Sequence, residues 1–175
     1  MVNLFKKKVT ANDMASTLLR LAMETNNIQK DISEMSAKSQ GNLEIFMDEC
    51  IFLQIFAVDY AAAAILGMQS PEKAALLDCY YILISQISNK MDALDKTPGD
   101  SFFTHVKHRL MVYGKAVPTP HPNGPTWTVG KEFARLCEKE SDLDVVMFGN
   151  FLFASSLKWV SDTLKAYRIK DIGIF

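Results

Sequence analysis

The sequence predicts an all-α fold: a single-domain bundle of about six helices around a central apolar helix at about residues 43–66. Three observations carry this. The run Cys50–Leu66, CIFLQIFAVDYAAAAIL, has only Gln54 and Asp59 as clearly polar residues, and a helix this apolar must be enclosed on most sides. Elsewhere apolar residues recur at alternating threes and fours, as in Phe103, Val106, Leu110, Tyr113 and Val117, the spacing of one buried helical face. Helix start and stop signals separate these segments, and no β-hairpin pattern interrupts them. Hydrophobic residues make up 49% and charged residues 22% of the 175-residue chain, which suits one globular domain and argues against disorder.

Residues 1–9 are assigned to a frayed N-terminus. The first helix starts after Thr10, where Thr10 and Asp13 stand at capping-box spacing. Its apolar stripe is Met14, Leu18, Leu21 and Ala22. Residues 24–40 are more polar but keep Ile28, Ile32 and Met35 at helical intervals, so they extend that helix with one wet face until Gly41-Asn42. The second helix, about Leu43 to Leu66, ends at the natural cap Gly67. Ser70-Pro71-Glu72 then combines an N-cap serine, a first-turn proline and a first-turn acid, opening a third helix antiparallel to the second. That helix carries Leu76, Cys79, Tyr80, Leu83, Ile84 and Ile87 and fades near 92–96.

Thr97-Pro98-Gly99-Asp100 reads as a turn, with Asp100 or Ser101 capping the fourth helix. A Pro-rich loop at 118–126 follows, its four prolines making it stiff, and Trp127 ends it. A short fifth helix is expected over about Val129–Lys139. Ser141 and Asp144 form a second capping-box pattern that opens an apolar sixth helix, where Gly149 implies close approach of another helix. Residues 168–175 form an apolar tail, and Ile172, Ile174 and Phe175 are its interface candidates.

The same residues narrow the function classes. A net charge of −1 gives no general attraction to nucleic acid. Cys50, Cys79 and Cys137 are odd in number and far apart in apolar patterns, the usage of reduced core thiols in a cytoplasmic protein. Residues 45–66 are long enough for a membrane span, but Asp48, Glu49, Gln54 and Asp59 argue against insertion. The N-terminal lysines precede no apolar signal-peptide core. Lys6-Lys7-Lys8 beside Leu4 and Phe5 could touch anionic lipid, though a solvated terminus is the simpler reading. No nucleophile elbow, P-loop or dinucleotide fingerprint is present, and no cofactor is implied.

Glu44, Asp48 and Asp59 share a sector of about 60° on the second helix, but Asp48 and Asp59 stand about 16 Å apart along its axis and cannot share an ion. His105 and His108 lie one turn apart without nearby acids or cysteines to complete a metal shell, so no metal site is expected. Asp59 and Asp78 stand at equal distances from the hairpin joining the second and third helices, with Tyr60 and Tyr81 beside them. They are the catalytic candidates, as a carboxylate pair with one raised pKa. The simpler alternative is that each meets solvent or one tyrosine. Asp59, Tyr60, Asp78, Tyr81, His121 and Trp127 are the ligand-pocket candidates, with Trp127 alternatively a staple that packs the loop to the core. The leading expectation is a cytosolic binding or protein-interaction domain, built from the apolar tail and the sixth helix, that self-associates as a homo-oligomer or meets another protein. A helical bundle with an internal small-molecule or lipid-like pocket and a paired-carboxylate enzyme are the alternatives.

Overall fold

In the computed structural model, which describes residues 6–94 and 101–170, the order is β1 (Lys7–Thr10), α1 (Ala11–Met23), α2 (Gln29–Ser39), α3 (Leu43–Leu66), α4 (Pro71–Leu94), α5 (Phe102–Ala116), α6 (Pro125–Leu136), α7 (Leu143–Ala166) and β2 (Tyr167–Lys170). The protein is an all-α bundle with one small two-stranded sheet. Its centre is α3, because two hydrophobic cores meet there. Phe52, Ile55, Val58, Ala61 and Ala62 of α3 face a core built with α1, α4 and the C-terminal half of α7. Phe46, Cys50, Leu53, Phe56 and Ala57 face a second core built with α2, α5, α6 and the N-terminal half of α7. A helix serving two cores needs apolar residues nearly all round, which is why its polar face is reduced to the narrow sector of Glu44, Asp48 and Asp59.

Both α3 and α7 are long and apolar enough to cross a membrane by length and composition. The rest of the protein buries 61% of the most apolar window of α3 but only 39% of that of α7, so the less covered apolar surface lies on α7.

Local chemistry sets most boundaries. Asp13 N–H donates to Thr10 Oγ1 at 3.0 Å, and Asn42 Oδ1 accepts from Glu44 N–H at 2.9 Å, each satisfying a free first-turn amide. Gly67 ends α3 at φ 95°, and Ser70 Oγ accepts from Lys73 N–H at 3.0 Å as α4 begins. Ser101 does the same for α5, accepting from Thr104 N–H.

Four expectations are corrected. Residues 24–40 do not extend the first helix: Glu24 is extended, Ile28 N–H closes a turn on Thr25 O, and α2 is separate, giving seven helices among the described residues. Thr25-Asn26-Asn27 are turn formers, which explains the break. Residues 7–9 and 168–170 are not free ends, because β1 pairs in parallel with β2, Val9 opposite Ile169. Helix α6 begins at Pro125, which suits a first helical position where no amide is needed, so Trp127 sits in its first turn. The cap of α7 is Asp142, whose carboxylate accepts from both Asp144 and Val145 N–H, two bonds that outcompete one from Ser141. The 97–100 turn and Ile172, Ile174 and Phe175 lie outside the described residues.

Helices α6 and α7 meet through two glycines. A Cβ on Gly130 would lie 2.5 Å from Val146 O and 2.8 Å from Asn150 N, and one on Gly149 would lie 2.7 Å from the Phe133 ring. The expected close approach at Gly149 is therefore present, and Gly130 is its reciprocal.

Candidate functional site

Asp59 and Asp78 do not form a buried pair. Tyr81 Oη donates to Asp59 Oδ1 at 2.7 Å, tying α4 to α3, while Asp78 is exposed. Burial first, and then the Asp59 charge, pushes the Tyr81 hydroxyl pKa well up, so the phenol stays protonated and serves as a donor. Tyr60 packs its ring between Phe56 and Phe153. His121 stacks on Trp127 with centroids 6.0 Å apart, and its Nδ1 accepts from Asn123 N–H. Trp127 packs against the α3–α6–α7 core, whereas Tyr81 packs against the other one. The six pocket candidates are thus divided between two packing regions. Among the described residues, no group of three or more His, Cys, Asp or Glu could hold a metal ion.

The structure brings together a set that sequence spacing did not single out. Glu49, 2% exposed, accepts from Arg109 Nε at 2.6 Å and also from Arg109 Nη2 through the same oxygen, Oε1. Tyr113 Oη donates to the other oxygen at 3.3 Å. Arg109 Nη1 donates to His108 Nδ1 at 2.9 Å, and its guanidinium lies 5.7 Å from the Phe52 ring centroid. Phe52 in turn stacks on Phe102 and His105. A buried carboxylate is costly unless paired and hydrogen-bonded, and here α5 supplies both requirements. Burial, followed by the Glu49 charge, holds the Tyr113 hydroxyl well above its usual range, keeping it a donor.

Signals for this cluster were present. Glu49 falls outside the sector shared by Glu44, Asp48 and Asp59, and its helical neighbours Ile45, Phe46, Phe52 and Leu53 are all apolar. Arg109 lies three residues after Val106 and four before Tyr113, at the edge of the buried stripe.

Above this pair lies a cleft of about 640 Å³ between α3, α5 and the end of α4, with Glu44, Asp48, Asp92 and Glu138 at its margin and Phe52 and Phe102 on its apolar wall. Partial desolvation raises the Asp48 pKa, and Glu44 adds to the rise. Since the folded value exceeds the unfolded one, charging Asp48 opposes folding as pH rises through the carboxylate range. Asp48→Asn should therefore raise the melting temperature at pH 7. The gain should vanish below about pH 4, where Asp48 is protonated in both states, and melts across that range check it.

Cys50 and Cys137 are buried and free, and burial pushes both thiols far above their ordinary range, so neither is an activated nucleophile. Cys79 is half-buried.

Among the described residues, the largest row of uncovered apolar side chains on one helix is on α7. Leu143, Met147 and Phe151 stand one turn apart and are 59%, 40% and 63% exposed. Ala154 and Ser155 extend the row as exposed small residues. The opposite face of α7 holds Val145, Val146, Gly149, Leu152, Phe153 and Val160 in the cores. Comparison with protein-family models, curated proteins and solved structures finds no match for this chain.

Proposed function

We propose that this protein is a helical binding domain that self-associates through the exposed face of α7. The row Leu143–Met147–Phe151 carries the reading. Scattered exposed apolar residues are ordinary, whereas a contiguous row on one helix is the character of a contact surface. A central aromatic suits the anchor of such a surface.

A second copy of the chain fits this face by charge. An antiparallel pairing of two α7 helices centred on Phe151 sets Asp144, seven residues before the centre, opposite Lys158 of the second copy, seven residues after it. Within one chain and among the described residues, Asp144 holds the exposed Lys38 at 2.6 Å, and Lys158 holds Asp162 at 2.7 Å. Exposed pairs of this kind are worth little, so both residues can regroup across an interface. Ala154 and Ser155 leave room for the helices to approach. The paired-carboxylate reading has less support, because Tyr81 occupies Asp59 and Asp78 faces solvent. The three free thiols fit a reducing, cytosolic setting.

Phe151→Asp tests the reading. Sedimentation velocity should show a self-association constant weakened at least about 30-fold, the effect of losing a hot-spot residue, with the melting temperature nearly unchanged. A wild-type dimer that tolerates Phe151→Asp without change would remove α7 as the interface.

A further inference from the structure

The sheet gathers cations from two distant parts of the chain. In its register Lys8 stands opposite Arg168 and Thr10 opposite Lys170. Side chains alternate along a strand, so Lys8, Arg168 and Lys170 share one side of the sheet while Val9 and Ile169 turn to the core. All three cations are exposed, and among the described residues none has a carboxylate within ion-pair distance. The Lys170 ammonium, close enough for hydrogen-bond contact and of like charge, holds the Lys8 pKa below the usual lysine range, and Arg168 adds to the effect. Like charges directly opposite one another weaken a strand pair, and this sheet has only four pairs. Among the described residues the fold supplies no compensating anion.

We infer that the Lys8–Arg168–Lys170 face of the sheet docks on an anionic phospholipid surface. Three cations on one side of one sheet suit the charge of a plane of anionic headgroups. Tyr167 lies on the other side with Lys7, so among the described strand residues the basic face has no aromatic ring on which a nucleic-acid base could stack. In sequence, Val2, Leu4 and Phe5 precede β1, and Ile172, Ile174 and Phe175 follow β2. Apolar residues next in sequence to basic ones are the composition of interfacial anchors. With a net charge of −1 the whole protein has no long-range attraction to anions, so binding depends on this patch and fades within a Debye length of about 10 Å.

Co-sedimentation of the full chain with phosphatidylcholine vesicles, with and without about 30 mol% phosphatidylserine, tests the inference. Binding should require phosphatidylserine and disappear at about 1 M salt. The triple variant Lys8→Gln, Arg168→Gln, Lys170→Gln should bind about a hundredfold more weakly, at about fivefold per cation. It should melt no lower than wild type, because it loses like-charge repulsion. A control with the same net charge, Lys30→Gln, Lys90→Gln, Lys131→Gln, should bind as wild type does. Equal binding to both vesicle types, wild-type binding by the first variant, or equal weakening by the control would each overturn the inference. Binding to a single-stranded oligonucleotide in preference to vesicles would overturn it as well.

Discussion

Arg109→Met is expected to destabilise the protein by about 3–5 kcal/mol, the cost of leaving a buried charge without its partner. Glu49 is 2% exposed, and Arg109 supplies two of the three hydrogen bonds it receives. Tyr113 alone, at 3.3 Å, cannot hold the carboxylate. Domains of this kind are stable by only about 5–15 kcal/mol, so the single change should move the urea midpoint far down. The attraction itself is not the origin of the loss, and the double variant separates the two contributions. Glu49→Leu with Arg109→Met removes both charges and should recover most of the stability, giving a strongly non-additive cycle. If the two single losses add, the residues do not act as a pair.

Gly130→Ala is expected to lose about 3 kcal/mol, although alanine is the better helix former by about 1 kcal/mol. The new methyl group would meet Val146 O at 2.5 Å and Asn150 N at 2.8 Å, and these are backbone atoms that move only if α7 moves. Its retreat is blocked on the reciprocal side, where Gly149 lies against Phe133, itself wholly buried and edge-on to Phe46. Gly114 is the control. It is exposed within α5 with nothing within 4 Å of a Cβ, so Gly114→Ala should stabilise by about 0.5–1 kcal/mol. The same substitution should change sign between the two sites, measured by chemical denaturation.

The helices were legible where their signals were local. Asn42, Gly67 and Ser70 act through atoms a few residues away, so the ends of α3 and the start of α4 could be read directly. The sheet was not legible because Val9 and Ile169 pair across nearly the whole chain, and four residues are too short for an alternating pattern to stand out. Asp142 replaced Ser141 as a cap through a competition between neighbours that spacing alone cannot resolve.

The acids of α3 divide the same way. Distance along the helix separated Asp48 from Asp59, and the rotational sector separated Glu49 from both, but which residue answers Glu49 depends on how α5 crosses α3. Tyr81 answers Asp59 because it lies on the turn of α4 that faces α3, a rotation that the length of the hairpin does not set. The last long helix could be read as a contact element, but which face of α7 is uncovered was likewise hidden. Phe148 and Phe151 look alike in sequence, yet Phe148 packs beside Phe133 while Phe151 is left 63% exposed.

Self-association through that face is tested most directly by the molar mass of the unaltered chain, measured by light scattering over a range of concentration. The mass should climb from 19.6 kDa toward twice that value as concentration rises to about 100 μM, an ordinary range for a modest interface. A mass that stays at 19.6 kDa throughout would contradict it.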